Sequence, residues 1–330
     1  MALKHRRGLV IAVLATLLLA CAVAAGTFWA VGPSQSCRYS AQGPAQPGWS
    51  ARTVVSSGLE RCYHLYVPRG YDPSEPVPVV LSLHGFLSNP NSHGQISLWH
   101  KLADREGFLV VYPEGTSFPQ RWNAHSHWSA AGVDDVQFFR DIVDDVSAVA
   151  AADRSRVYVN GLSNGGGMTV RIGCEAADEV AAIGTVAGAL VDMESCSPSR
   201  PVPLMAFHGT DDPIVPYEGG PLEGEVLQQG AGLTGAPPAL LGAEDWVAAW
   251  AERNGCAPSP QVIPRHGDIK GVHYAECDED AEVILHTIVG GGHTWPGGTP
   301  IPVVGKTSRD IDATEEMWRF FQAFRLDDQP

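Results

Sequence analysis

The segment Val157-Tyr158-Val159-Asn160-Gly161-Leu162-Ser163-Asn164-Gly165-Gly166-Gly167 constrains this chain more than any other stretch. An apolar, β-branched run leads into a serine flanked by glycines, and a helix is expected to open directly behind it. Glycine is required on both sides because a strand-to-helix turn this tight leaves no room for a Cβ. Such a turn exposes the serine hydroxyl at a strand end, with a helix N-terminus beside it to stabilise developing negative charge.

The rest of the chain supplies a sheet around that turn. Runs rich in Val, Leu and Tyr at 63–67, Val77–Leu83 and 108–112 read as strands, as do 156–160, 183–186, 204–207 and Val283–Ile288. Between them, 135–150 carries Val136, Phe139, Ile142, Val143, Val146 and Val149 at helical spacing. Further helices are expected from Gly165 to Cys174, over 243–253 with Trp246 and Trp250, and over 313–324. This alternation implies an α/β chain with a mostly parallel central sheet and helices on both faces, forming a single domain over residues 51–330. A hydrophobic content of 44% is enough to fill its core. The Gly/Pro/Leu-rich stretch 218–242 reads as a long insertion, either a lid or a surface loop.

Ahead of the domain, KHRR at residues 4–7 precedes an uncharged run from Gly8 to Gly32. A basic start, an apolar run and small residues behind it make residues 1–32 an export segment. Three endings fit. Ala22-Val23-Ala24 suits a signal peptidase, and Leu18-Leu19-Ala20-Cys21 resembles a lipobox that would leave a lipid-modified Cys21. The run, about 37 Å long as a helix, also suffices as a membrane anchor. All three place the remainder outside the cytoplasm, with 33–50 as a Ser/Gly/Pro/Gln-rich tether. The cysteines agree with export. Besides Cys21 there are six, and none forms a C-x-x-C pair. Sequential pairing is expected: Cys37–Cys62, Cys174–Cys196 and Cys256–Cys277. The net charge of −15, with Lys4, Arg6 and Arg7 all inside the leader, argues against nucleic acid or an anionic membrane surface as partner.

A serine hydroxyl is a weak nucleophile until a base, itself oriented by an acid, takes its proton. The acid is expected after the 204–207 strand, where His208-Gly-Thr-Asp211-Asp212-Pro follows. The base is expected after Val283–Ile288, where Gly290-Gly-Gly-His293-Thr-Trp295 follows. The order Ser163…Asp212…His293 is that of α/β hydrolases and not of chymotrypsin-like or subtilisin-like enzymes. An oxyanion needs two backbone N–H groups. Asn164, next after the serine, supplies one, and Phe86 in Leu83-His84-Gly85-Phe86 supplies the other, with His84 a structural hydrogen-bonder. Trp122, Asn123, His125, His127 and Trp128 lie between a strand and a helix at the same edge. Trp122, Trp128 and Trp295 are candidate pocket walls or simply loop packing. His125 and His127 lack a third ligand at matching spacing, so neither a metal nor a cofactor is expected. Asp134 and Asp135 are placed to cap the helix they precede.

LHGF, GLSNGGGM, HGTDDPIVPY and GGHTWPG, in this order, together with RVYVNGLSNGG, DDVQFF and IDATEEMWRFF, resemble the secreted polyhydroxybutyrate-depolymerase-like esterases, kin to feruloyl and acetylxylan esterases. The resemblance runs from about Val54 to Phe324. It implies an α/β-hydrolase fold, a Ser–Asp–His triad, no metal, and a small or polymeric ester as substrate. In the family the acid is the fifth residue of H-G-T-x-D, here Asp212. This chain also has an aspartate at the fourth position, which leaves Asp211 as an alternative. No appended polymer-binding domain is expected. The same triad could serve an acyltransferase, and a non-catalytic surface-binding protein on a hydrolase scaffold is the alternative of another class. The residues set neither the acyl group nor an oligomeric state.

Overall fold

The computed structural model describes residue 37 and residues 40–117, 119–125, 132–191, 193–194, 196–221 and 239–326. The chain divides into two units, Met1–Tyr39 and Ser40–Pro330. The readings of residues 1–32, Cys21 included, lie outside the described residues, as do His127, Trp128 and most of the 218–242 insertion. Among the described residues no helix is long and apolar enough to cross a membrane.

The larger unit is built on one ten-stranded sheet. Its strands are β1 (Gly48–Ser56), β2 (Leu59–Val67), β3 (Val77–Leu83), β4 (Leu109–Pro113), β5 (Ala152–Leu162), β6 (Ala182–Val186), β7 (Leu204–Gly209), β8 (Gln261–His266), β9 (Ile269–Tyr274) and β10 (Val283–Ile288). Their spatial order is β1-β2-β4-β3-β5-β6-β7-β10-β9-β8. The strands from β4 through β10 in that order run parallel, while β1 and β2 on one side and β9 and β8 on the other are antiparallel. The helices are α1 (Pro90–Ser97), α2 (Trp99–Glu106), α3 (Asp135–Val149), α4 (Asn164–Glu175), α5 (Ala243–Arg253) and α6 (Ala313–Phe321).

The central strands are buried on both faces, which is why they read as nearly continuous apolar runs. Their residues alternate between two cores. Val79 and Leu81 of β3, Leu109 and Val111 of β4, and Val157 and Val159 of β5 face a cluster completed by Phe139 and Ile142 of α3, Met168 and Ile172 of α4, and Trp246 and Trp250 of α5. Val80, Val110, Tyr112 and Tyr158 face the opposite cluster, with Trp99 of α2 and Met317, Trp318 and Phe321 of α6. Each helix thus buries one stripe against the sheet, as its 3.6-residue spacing requires. Asp134 caps α3 by accepting from the Val136 and Gln137 N–H groups at 3.0 and 2.9 Å. Asp135 does something other than cap. Its buried carboxylate pairs with Arg61 at 2.8 Å and accepts the Asn123 N–H at 2.7 Å.

Two expectations need correction. Residues 40–50 are not a free tether, because Ala45 is buried in the first core, its N–H bonds Val149 O, and β1 already begins at Gly48. Strands β1, β8 and β9 and helices α1 and α2 go beyond the elements read from the sequence. β8 is exposed along nearly its whole length, so it carries no alternation to read. α1 contains Pro90, Gly94 and two serines; it forms because Asn89 caps it through the Ser92 N–H and Pro90 stands in its first turn. Bridges join Cys174 to Cys196 and Cys256 to Cys277, in agreement with the sequential scheme. Cys37 and Cys62 are each disulfide-bonded as well.

Candidate active site

Because β3, β5, β6, β7 and β10 are parallel, their C-terminal ends share one edge of the sheet. The register aligns Leu83 with Gly161, Leu162 with Val186, Val186 with Phe207, and Gly209 with Ile288. The chain leaves β3 toward β4 on one side, and its next strand, β5, lies on the other. Between β3 and β5 the strand order therefore reverses, opening a crevice beyond their ends. The loops carrying Gly85 and Ser163 flank that crevice.

Ser163 takes φ 59° and ψ −121°, a region costly for any residue with a Cβ. Three backbone bonds hold it there. Its N–H donates to Val186 O, and its carbonyl accepts from the Gly167 and Ala189 N–H groups. The flanking glycines are required sterically. A Cβ on Gly161 would stand 2.3 Å from Gly165 O, and one on Gly165 would stand 2.5 Å from both Leu83 O and His84 O. Gly85 packs directly on the serine, where an added Cβ would lie 3.3 Å from Ser163 Cβ and 3.9 Å from Oγ.

The base and acid candidates arrive from the neighbouring strand ends. His293 Nδ1–H donates to Asp212 Oδ2 at 2.7 Å. The other Asp212 oxygen accepts from the Ile214 and Val215 N–H groups, each at 2.8 Å, so the carboxylate is anchored at both ends. Burial pushes the Asp212 carboxyl up. The His293 bond and charge, the His208 charge and the Ile214 N–H outweigh that, and hold it below its ordinary value. Of the two adjacent aspartates, Asp212 meets the ring, while Asp211 is exposed and, among the described residues, its carboxylate accepts only from the Thr210 hydroxyl. His293 itself is fixed by its N–H bond to Val304 O, and Gly292 donates to Lys306 O beside it. Ser163 and His293 retain 9% and 8% exposure. Among the described residues no hydrogen bond joins Ser163 Oγ to the His293 ring. Such bonds commonly tighten only once substrate is bound.

The two expected oxyanion donors sit on either side of the serine. Asn164 is the first residue of α4, whose N–H has no partner within the helix. The Gly85 carbonyl, on the same peptide as the Phe86 N–H, accepts from His84 Nδ1 at 2.8 Å and from the Ser88 N–H at 3.2 Å. A trans peptide holds its N–H opposite its C=O, so these bonds turn the Phe86 N–H away from them and leave it free to donate. His84 is fully buried and accepts the Gly115 N–H at Nε2, and burial brings its pKa down to about 4. It is a neutral structural hydrogen-bonder, as the sequence suggested.

For Trp295 and Trp122, left open between pocket wall and loop packing, burial favours packing. Trp295 is fully buried in the second core, where its indole donates to Thr314 Oγ1 at 2.9 Å. Trp122 is 1% exposed and also packed in the core. Neither turns a face to the crevice; both anchor loops that reach it. Leu87, two residues beyond Gly85, is 52% exposed at φ 62°, and the sequence reading passed over it.

A glycine-flanked serine turn after β5 and an Asp–His pair from the ends of β7 and β10, on one mostly parallel sheet with helices on both faces, make this the α/β-hydrolase fold. Comparison with known proteins agrees. Residues 61–217 match the family described as "Esterase PHB depolymerase". Feruloyl esterase B of Piromyces equi is 32% identical over 237 residues, which cover 70% of this chain but only 42% of that protein. The putative esterase NocK of Nocardia uniformis subsp. tsuyamanensis is 30% identical over 282 residues, covering 81% of this chain and 80% of its own. Among solved structures, the acetyl xylan esterase from Aspergillus awamori superposes with a TM-score of 0.57 at 15% identity, covering 83% of this chain and 99% of that one, a likeness of fold. The chain belongs to the polyhydroxybutyrate-depolymerase-like esterases.

Proposed function

We propose that this chain is an exported serine esterase that cleaves carboxylic esters through an acyl-enzyme. Ser163 Oγ attacks the ester carbonyl carbon while His293 Nε2 takes its proton. The carbonyl oxygen becomes an oxyanion held by the Phe86 and Asn164 N–H groups. Collapse breaks the bond to the alcohol, which leaves with the proton returned by His293. Water then attacks the acyl-serine, again losing its proton to His293, and the carboxylic acid departs from a regenerated serine. Asp212 keeps the imidazole in the tautomer with the proton on Nδ1, so that Nε2 is a base. The observation that carries this reading is the 2.7 Å bond from His293 Nδ1 to a carboxylate pinned by two further N–H groups, at the edge where Ser163 is presented.

We read the acyl group as feruloyl or acetyl, a reading supported by relatives that bear the names feruloyl esterase and acetylxylan esterase. We read the alcohol side as a sugar or polymer chain lying along the open crevice. Residues 1–32 are read as the export segment, cleaved, lipidated at Cys21 or retained as an anchor, and the bridged cysteines support an oxidising compartment. Ser163→Ala should lower turnover of p-nitrophenyl acetate and methyl ferulate by at least roughly 10³-fold with an unchanged melting temperature. A fluorophosphonate should label the wild type and not this variant. Near-normal turnover in Ser163→Ala would remove the assignment.

A further inference from the structure

One residue between β4 and α3, Trp122, is bonded to the segments that carry both proposed oxyanion donors. The Trp122 indole Nε1–H donates to His84 O at 2.8 Å, on the loop that continues to Phe86. The Trp122 backbone N–H donates to Asn164 Oδ1 at 2.8 Å, and Asn164 Nδ2 donates back to Trp122 O at 3.2 Å. This pair of bonds ties the side chain of Asn164 as a short β-bridge would tie a strand, while its backbone N–H remains free for the oxyanion. The His84 ring lies against the indole, centroids 5.0 Å apart, and accepts the N–H of Gly115, which also lies between β4 and α3.

We propose that Trp122 is a positioning residue, a brace that sets the spacing of the Phe86 and Asn164 N–H groups. The proposal rests on the esterase reading of the site. The two donors belong to different strand ends, and each must stand about 2.7–3.1 Å from one developing oxygen. Gly85 touches Ser163 by van der Waals contact only, which fixes distance but not the direction of a peptide N–H. Trp122 adds direction through hydrogen bonds made in a site closed to water, where no solvent molecule can replace them. A buried indole N–H needs a partner in any core, as Trp250 shows by donating to Val202 O at 2.8 Å; what sets Trp122 apart is its second pair of bonds, to the Asn164 side chain. A pocket wall would need an open face, and this ring has 1% exposure.

The test compares Trp122→Phe, which keeps an aromatic ring and loses the Nε1–H, with wild type on one p-nitrophenyl ester. A single misaligned donor is expected to lower kcat by roughly tenfold or more, with KM within about twofold. Binding of an arylboronic acid, which forms a tetrahedral adduct on the serine, should weaken by a similar factor. If Trp122→Phe does not fold, Asn164→Ala decides by the same criteria, since it removes both side-chain bonds to Trp122, adds no charge and keeps the backbone N–H. A rise in KM alone would make Trp122 a pocket wall and overturn the brace. Unchanged kcat and boronate affinity would overturn it too. Failure of wild type to react with a fluorophosphonate would instead sink the esterase reading beneath it.

Discussion

Replacing Asp212 by Asn is the perturbation whose outcome the geometry constrains most tightly. The amide has nearly the shape of the carboxylate, so the question is which way it turns. Oδ1 accepts from two backbone N–H groups at 2.8 Å, Ile214 and Val215. Turning the NH₂ toward them would set donors against donors and lose two hydrogen bonds, so the amide oxygen must stay there. The NH₂ then faces His293 Nδ1, which lies 2.7 Å from Oδ2 in the wild type. It can bond only to an unprotonated Nδ1, which forces the imidazole proton onto Nε2. A ring protonated at Nε2 cannot accept the serine proton, so the fold survives and the base is lost. The expected cost is on the order of 10⁴ in kcat, about 5.5 kcal/mol of barrier. Asp211→Asn serves as the control, because that exposed carboxylate meets, among the described residues, only the neighbouring Thr210 hydroxyl and should change turnover by no more than a few-fold. Both variants are assayed for kcat on a p-nitrophenyl ester, with melting temperature as a check on folding. A stable Asp212→Asn enzyme within tenfold of wild type would refute the reasoning, and a crippled Asp211→Asn would move the acid by one residue.

Acid should destabilise the domain well above the range of its carboxylates. Burial holds His84, His93 and His286 neutral, with pKa values of about 4, 3 and 4, whereas an unfolded histidine titrates at 6.5. Between pH 6.5 and 4 the unfolded chain therefore binds the extra protons, and each histidine lowers stability by about 1.4 kcal/mol per pH unit of descent. A melting temperature flat between pH 7 and 5 would contradict this. Asp212 acts in a lower window, its contribution being present above its ordinary 3.8 and lost as pH falls through its depressed folded value. Gly165→Ala should cost several kcal/mol or prevent folding, since the added Cβ would meet two backbone carbonyls at 2.5 Å. Gly70→Ala, with open space around it, should be neutral in the urea midpoint, and equal stability of the two variants would show that the turn is looser than described.

The central strands were legible because a strand covered on both faces must be apolar at every position, and 157–162, 182–186 and 204–209 are largely so. The serine turn was legible for an equally local reason: a backbone carbonyl within 2.5 Å of a would-be Cβ tolerates only glycine. Chain order then named Asp212 and His293, because parallel strands deliver their ends to one edge whatever the details of packing. Other features depended on contacts between segments far apart in the chain. β8 and β9 form a hairpin extending a sheet edge, and exposed Gln261–His266 carries no periodic signal of that pairing. Asp134 and Asp135 looked alike as helix caps, yet only Asp134 caps α3; Asp135 is turned inward by Arg61, 74 positions away. Trp122 and Trp295 stayed open between pocket wall and loop packing, because aromatic residues near a catalytic loop have two available uses. Composition and spacing determine that an indole will be buried near the site. Where its N–H edge finds an acceptor is settled only when His84 and Thr314 come to rest beside Trp122 and Trp295, since hydrogen-bond direction depends on the placement of those partners.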